Sequence, residues 1–500
     1  MHHQPKLAAS VSIGNPACES RDQERTSRRM NRVAGSATVP DKDDIVAARL
    51  RGARSSGPDA SLHSSDTDNL PAQIRTPKSY ASEIFGVDRS TSEELRTLLK
   101  YLRRQLPPMD KQGPMSGKCI PETDQMEDFL KRNFGFYNNG QYIVSGVRAF
   151  ELRKPLSKME SNARIYFPHE HRGSFTMTVS EIRRWQNSFA VYADKSISGT
   201  DKVFLYKALQ GKSKDGDEAF RMKFVVRISD CPILMKFDAK ILPRSLDEYW
   251  PNNIKLVSVT GIDFAGRQHD AKDITTYITN WEKVFELDRT TGMPAVFHGR
   301  DFRPLKRHPP VVLDEQRLVN DLICMVRTRL RACDIEGVQI VVETGIGLGV
   351  FAGKHIGIDG QVRMLSAYAV RYVLQNEWSV YKNIRAIVFA LPIFSRTLDG
   401  HQLPDTYHDF VNEFRESKYR GPIPVLIADQ DMHELTVAIA LQGFRVSQLN
   451  PADSHGVFGE YWQNHGPAVE EKLALTTVGL LVQHHLINPS VLDHSKYHFI

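Results

Sequence analysis

The stretch VVETGIGLGVFAGKHIGID, residues 341–359, joins an apolar run to a loop that contains closely spaced glycines. The first four are Gly345, Gly347, Gly349 and Gly353. Because glycine has no Cβ, a loop of this kind lets backbone N–H groups close around a phosphate. The stretch therefore predicts a buried strand followed by a phosphate-binding loop. A purely structural turn is the alternative, since a single glycine loop is a weak signal.

From residue 313 onward, patterns typical of strands and helices alternate around this loop. The apolar runs are VQIVVE (338–343), IRAIVFAL (384–391), PVLIAD (424–429) and FRVSQL (444–449). Continuous apolar strands separated by helices predict an α/β fold, with a mainly parallel sheet covered by helices on both faces. Ligands of such sheets bind beyond the carboxyl ends of the strands. We assign residues 301–500 to this portion.

Residues 77–300 predict a mixed α+β portion that could complete the same sheet. Thr91 and Glu94 have the spacing of a capping box before a leucine-rich helix. The run AFRMKFVVRI, residues 219–228, alternates in the manner of a half-buried strand, and we expect its basic residues to face solvent. A further helix is expected around Ile274 to Phe285.

Composition limits the remaining possibilities. Residues 1–76 are rich in Ser, Arg, Asp, Gly and Pro and predict a disordered tail, which could also carry a targeting or secretion signal. The net charge of +6 is small for 500 residues, so no direct nucleic-acid binding is expected. Five scattered cysteines without a C-x-x-C pair argue against disulfides and a zinc site. No apolar run is long enough for a membrane span or a Sec signal peptide, so we expect an intracellular protein.

The spacing after the glycine loop argues against an S-adenosylmethionine site, although ETGIGLGVF looks like the loop of a class I methyltransferase. Such a site needs a helix and a second strand before its ribose-binding acidic residue, about 20 residues on. Asp359 follows Gly349 by only ten residues. A loop around a diphosphate is the better interpretation, with the next helix beginning near Gly360.

A second segment, LNPADSHGVFGEYWQNHGPAVEEKLALTT (449–477), follows the strand FRVSQL and so falls on the ligand edge of the sheet. Asn450, Gly456 and Gly459 suit a loop that a sugar can approach. Glu470 and Glu471 come early in a predicted helix, where the helix dipole favours carboxylates in any case. A carboxyl group placed there can also donate a proton to a leaving oxygen and then activate water.

The two segments together resemble poly(ADP-ribose) glycohydrolases, a family built on the macrodomain. The resemblance rests on GPAVEEKL and on ETGIGLGVFAGKHIGID. It implies that Glu471 is the catalytic acid/base and that Glu470 positions the ribose. It further implies an adenine contact at Asp429 or Asp431, in PVLIADQDMHEL. The diphosphate-binding residues that it implies are Thr344, Gly345, Gly347, Gly349, Val350 and Phe351.

Three departures from the family pattern are visible. Val469 stands where the family has Gln, and the glycine run is reduced to GVFG. The diphosphate loop precedes the glutamate segment, which is the reverse of the usual order and which a circular permutation would explain. Asp453 is a reserve catalytic residue if the glutamates are structural. Effector-type macrodomain hydrolases of bacteria are the nearest analogy, with action in a host cytosol.

The sequence thus predicts an ADP-ribosyl hydrolase that acts on an ADP-ribosylated protein or on an ADP-ribose polymer. Neither a metal nor a cofactor is expected. The alternatives are an ADP-ribose-binding reader without activity and, less favoured by the spacing, a methyltransferase. The oligomeric state stays open.

Overall fold

The computed structural model describes the chain in segments between residues 80 and 500. These segments are 80–106, 108–109, 160–162, 164–167, 175–210, 216–231, 254–266, 270–296, 302–349, 351–393, 397–398, 401–402, 405–416, 419–451, 482–483, 485 and 488–500. All of them belong to one compact unit, Asp41–Ile500. The predicted tail, residues 1–76, lies outside the described residues.

The described segments contain thirteen strands and ten α-helices. The strands are β1 (Ser82–Phe85), β2 (Arg164–Phe167), β3 (Phe175–Thr178), β4 (Ala190–Ala193), β5 (Val225–Asp230), β6 (Ile254–Val259), β7 (Ile340–Thr344), β8 (Ala386–Ala390), β9 (Thr397–Leu398), β10 (His401–Gln402), β11 (Val425–Ala428), β12 (Val446–Pro451) and β13 (Tyr497–Phe499). The helices are α1 (Glu93–Arg104), α2 (Val179–Asn187), α3 (Lys202–Leu209), α4 (Gly216–Arg221), α5 (Ala271–Tyr277), α6 (Trp281–Val284), α7 (Glu315–Ile335), α8 (Asp359–Asn376), α9 (Thr406–Glu416) and α10 (Met432–Leu441).

Nine of these strands form one sheet in the order β1-β11-β8-β7-β12-β6-β5-β4-β13. Strands from both sides of residue 300 take part, because β6 pairs with β12 along its whole length. Every residue of β6, β8 and β11 is buried. Since successive strand residues point to opposite faces, unbroken burial means that both faces of the sheet are covered.

The prediction of a mainly parallel sheet holds only in part, because the observed sheet is mixed. Five neighbouring pairs run parallel. Three pairs run antiparallel, and each of these involves β1 or β5. Antiparallel neighbours need no crossover helix. The alternation of strand and helix on which the prediction rests begins only at residue 313. It therefore gives no information on the direction of the strands that come earlier in the chain.

In the described part of the second half, the predicted strands and the helix after the Gly-rich loop form at the predicted places, while the helix predicted around Glu470 and Glu471 lies outside the described residues. Strands β7, β8, β11 and β12 match the four apolar runs. Helix α8 begins at Asp359, next to the predicted start at Gly360. Its buried residues include Val362, Leu365 and Val373, which the helical period of the sequence places on one face. Helix α7 packs beside α8 and ends before Gly337, whose φ is 72°.

The prediction for AFRMKFVVRI is wrong in two respects. Its first residues form α4 and a 3₁₀ turn, Met222–Phe224, and only Val225 onward is strand. Lys223 and Arg227 are buried, with 3% and 2% exposure, rather than facing solvent. Period alone cannot show this, because a basic residue can be buried wherever distant carboxylates meet it.

Two local predictions also need correction. The cap of α1 is Ser92, whose side chain accepts the Leu95 N–H, while Thr91 forms hydrogen bonds with Asp88 instead. The single helix expected around Ile274 to Phe285 is divided into α5 and α6 by Ile278, which is extended and bridges to Leu313. Among the described helices, none has both the length and the apolar character that crossing a bilayer requires.

Candidate functional site

The carboxyl ends of five parallel strands form one edge of the sheet, which we call the carboxyl edge. Strands β6, β7, β8, β11 and β12 run in the same direction, so the residues after each of them emerge there. Open α/β sheets bind ligands in the crevice outside such an edge. Three predicted binding segments are positioned here: the Gly-rich loop after β7, the two aspartates after β11, and Asn450 near the end of β12.

The predicted diphosphate and ribose segments begin side by side. Strands β7 and β12 are direct neighbours, with Ile340 opposite Val446 and Val342 opposite Gln448. Thr344 and Asn450 each come two residues later, and neighbouring strands lie about 4.8 Å apart. The remaining sugar-binding and catalytic residues of the prediction lie outside the described residues. They are Asp453, Gly456, Gly459, Glu470 and Glu471.

Short turns shape the Gly-rich loop, residues 345–353. The Ile346 N–H donates to the Thr344 carbonyl at 2.9 Å, and the Leu348 N–H donates to the Gly345 carbonyl at 3.1 Å. Within the described part of the chain, the Gly349 N–H has no acceptor. Gly349 is exposed, and a Cβ built on it would meet no atom of the described residues within 4 Å, its chain neighbours apart. Its N–H is therefore open to an anion at the carboxyl edge. Val350 is outside the described residues.

Gly347 has a packing role that is separate from ligand binding. Its φ is +74°, and a Cβ built on it would lie 2.9 Å from the Ile262 carbonyl oxygen. Ile262 belongs to residues 260–266 after β6, which we call the supporting loop. The two loops are joined again by the Phe264 N–H, which donates to the Phe351 carbonyl at 2.9 Å. The Gly-rich loop therefore takes its position from the supporting loop.

A buried cluster of one lysine and three aspartates holds the supporting loop, and we call it the Lys223 cluster. Lys223 Nζ lies 3.0 Å from the Gly261 carbonyl oxygen, 2.8 Å from Asp273 Oδ2 and 3.5 Å from Asp270 Oδ1. The Asp263 N–H donates to the same Asp273 oxygen at 2.7 Å. The Lys223 and Asp273 side chains are each only 1% exposed. All three donors of the ammonium thus have an acceptor.

Burial, together with the excess of negative over positive charge, shifts the pKa values of the Lys223 cluster. Burial raises the pKa of Asp263 well above its usual range, and the nearby charge of Asp270 adds to the effect. Burial also raises the pKa of Asp273 to about 7, although Lys223 acts in the opposite direction. Burial alone would lower the pKa of Lys223, but attraction to Asp273 and Asp270 outweighs it and raises that pKa. Lys223 is therefore charged near neutral pH.

The two candidate adenine-binding aspartates have structural contacts at the carboxyl edge. Asp429 Oδ1 accepts the Ile393 N–H at 2.7 Å. Asp431 is the N-cap of α10, with Oδ1 accepting the Glu434 N–H at 2.8 Å. Their exposures are 8% and 2%. The adenine contact of either residue stays a prediction.

A small cavity of ≈ 50 Å³ lies beneath the Gly-rich loop, between α7, α8 and β8. Its wall is mostly apolar, but Arg329 and Glu343 also line it. Arg329 Nε lies 2.6 Å from Glu343 Oε1, and the two side chains are 9% and 3% exposed. This volume suits a few water molecules rather than a nucleotide. A nucleotide sugar at this site would lie over the carboxyl edge and not inside the fold.

A comparison with models of known protein families finds no match to this chain, and a comparison with curated protein sequences finds none either. Within the described segments, no three His, Cys, Asp or Glu side chains are grouped so that they could hold a metal ion. The cation that meets the aspartates of the Lys223 cluster is the lysine itself.

The sequence prediction missed the Lys223 cluster and the Arg329–Glu343 pair. For Asp263 there was a usable signal, because TGIDFAG follows the apolar run IKLVSV and places a glycine on each side of the aspartate. Nothing local predicts that Lys223 meets Asp273, since that contact depends on how α5 packs against the turn before β5.

Proposed function

We propose that the protein is an ADP-ribosyl hydrolase, which cleaves the bond between ADP-ribose and a modified protein or an ADP-ribose polymer. One observation supports this most: the Gly-rich loop and the Asn450 segment emerge from neighbouring parallel strands at the carboxyl edge. Along the chain, the two segments come in the reverse of the order that is usual in the family they resemble. A site is built by segments that are neighbours in the sheet, whatever their order along the chain. The resemblance supplies the ligand class.

In this proposal the diphosphate lies over the Gly-rich loop and accepts the Gly349 N–H. The ribose that carries the reacting carbon lies beside Asn450, and Glu470 positions it. Asp429 or Asp431 would accept from the amino group of adenine. ADP-ribose is thereby held across the ends of β7, β12 and β11.

The proposed reaction uses one carboxyl group twice. Glu471 donates its proton to the leaving group while the bond to the anomeric carbon breaks and oxocarbenium character develops. Water then adds to that carbon and gives its proton to the Glu471 carboxylate. Asp453 would take this role if the glutamates are structural. This scheme requires no metal and no cofactor.

Ligand comparison tests the proposal and separates it from its alternatives. We expect isothermal titration calorimetry to show binding of ADP-ribose but not of S-adenosylmethionine. We also expect the protein to release free ADP-ribose from an ADP-ribosylated protein or from the polymer. Binding without release from either substrate would favour a reader. Binding of S-adenosylmethionine alone would contradict the proposal and favour a methyltransferase.

A further inference from the structure

The Lys223 cluster is connected to the Gly-rich loop by a short chain of contacts. Lys223 Nζ donates to the Gly261 carbonyl oxygen. A Cβ built on Gly261 would lie only 3.1 Å from the Gly347 backbone nitrogen, so the two backbones touch. Since close-packed backbones transmit small displacements, a shift of the supporting loop moves the Gly-rich loop with it.

We propose that Lys223 and Asp273 are positioning residues that set the Gly-rich loop in the geometry that binds the diphosphate of ADP-ribose. This inference rests on the proposed function and extends it. Neither side chain touches the ligand, because each is almost fully buried. They act through the supporting loop: Lys223 holds the Gly261 carbonyl, and Asp273 accepts the Asp263 N–H.

When the Gly-rich loop has the geometry that binds ADP-ribose, the Lys223 cluster holds one proton. Three carboxylates and one ammonium would carry a net charge of −2, buried beside a loop that binds an anion. Among the described residues, Asp273 Oδ1 has no hydrogen-bond partner, and an ionised oxygen without donors is costly to bury. A proton on the Asp263–Asp273 pair lowers the net negative charge of the cluster and also the free-energy cost of burying Asp273 Oδ1. Losing it both loosens the supporting loop and repels the diphosphate.

Titratable and charged groups from several elements surround this proton. The turn before β5 contributes Lys223, and the supporting loop contributes Asp263. Asp270 is the N-cap of α5 and Asp273 lies within α5, while Lys272 forms an ion pair with Asp217 at 2.9 Å. On the α7 side, the Tyr277 hydroxyl donates to Asp321 Oδ2 at 2.9 Å. Arg317 Nε lies 3.9 Å from the same oxygen. His355 lies next to the Gly-rich loop, and because histidine is the side chain that ordinarily changes charge near neutral pH, a variant of it serves as a control.

The direction of the pH effect follows from the raised pKa. The pKa of Asp273 rises from 3.8 to about 7. A carboxyl with a raised folded-state pKa contributes stability that is complete below its unfolded value and is lost as the pH rises through its folded value. With a pKa of about 7, Asp273 changes from mostly protonated at pH 6 to mostly ionised at pH 8.5, so the loop geometry, and with it the affinity for ADP-ribose, should weaken over this range. The diphosphate itself stays ionised throughout this range.

Calorimetry with ADP-ribose from pH 6 to 8.5 tests the inference. We expect wild-type affinity to fall up to about 30-fold, the limit for one linked proton with a pKa near 7. Asp273→Asn mimics the protonated form and should bind with little pH dependence. His355→Gln and Asp288→Asn should behave like the wild type; the pKa of Asp288 is about 2, lowered first by its hydrogen bond with the Thr290 hydroxyl.

The outcomes separate this inference from the proposed function. No binding at any pH would reject the proposed function. Binding that is the same at pH 6 and 8.5, or a pH dependence that persists in Asp273→Asn, would reject only the role of the cluster. A pH dependence lost in His355→Gln would do the same. If Asp273→Asn does not fold by circular dichroism, Asp263→Asn, which changes the other carboxylate of the pair, takes its place and should likewise bind with little pH dependence.

Discussion

Replacing Glu471 with Gln is expected to lower the rate of ADP-ribose release by about 10²–10⁴-fold, the usual contribution of a general acid/base. Glutamine keeps the size of the side chain but can neither donate the proton to the leaving group nor take one from water. Binding should change little, because the diphosphate and adenine contacts remain. Release from an ADP-ribosylated protein at saturating enzyme gives the rate, and calorimetry gives the affinity.

Two further variants make this result specific. Glu282→Gln, on the exposed face of α6, makes the same chemical change outside the proposed site and should keep full activity. Asp453→Asn tests the reserve candidate. Full activity in Glu471→Gln, with loss in Asp453→Asn, would move the catalytic role to Asp453. Full activity in both variants would contradict carboxylate catalysis by this segment.

Replacing Arg329 with Met is expected to lower the free energy of unfolding by about 3–5 kcal/mol, because it leaves the buried carboxylate of Glu343 without its partner. Glu343 is 2% exposed and sits on β7, directly before Thr344. Urea denaturation followed by circular dichroism gives the change. The end of β7 would be disturbed first, so weaker ADP-ribose binding should accompany the loss.

A double variant and a surface pair show whether burial is the cause. Arg329→Met combined with Glu343→Met removes both charges and should recover a large part of the loss. Arg303→Met breaks the Arg303–Glu286 pair, at 3.1 Å and with side chains 45% and 40% exposed, and should cost at most about 1 kcal/mol. Equal losses from Arg329→Met and Arg303→Met would contradict the explanation.

Much of the fold could be predicted from the sequence because hydrophobic period is a local property. The apolar runs before the Gly-rich loop and before Asp429 are strands, and Leu95, Leu98 and Leu102 are buried in α1 as their spacing indicates. The prediction from hydrophobic period was wrong at Lys223, because the burial of this residue depends on aspartates from other parts of the chain. The antiparallel pairings of β5 were missed for a similar reason, since pairing is decided between segments.

The same distinction between local sequence properties and contacts between distant segments applies to the candidate site. Positions after strand ends can be predicted, and the structure places the Gly-rich loop, Asp429 and Asn450 at one edge because the sheet is parallel there. The support beneath them could not be predicted. It consists of the Lys223 cluster and the Arg329–Glu343 pair, whose members come from separate elements. The roles of Glu470 and Glu471 stay predictions, because both residues lie outside the described segments.

The central claim is that the Gly-rich loop holds the diphosphate of ADP-ribose, and Gly349→Ala tests it most directly. A Cβ at Gly349 meets no atom of the segments that the structure describes within 4 Å, apart from its chain neighbours, so the fold should be unaffected while the methyl group blocks a phosphate over the loop. Gly360→Ala, in the first turn of α8, is the matched control, since among described residues outside its own backbone surroundings its Cβ would meet Arg363 Nη2, at an ordinary contact distance of 3.6 Å. We predict by calorimetry that Gly349→Ala weakens ADP-ribose binding by about tenfold or more, the loss of one charge-assisted hydrogen bond, and that Gly360→Ala does not. Unchanged affinity in a folded Gly349→Ala variant would contradict the account.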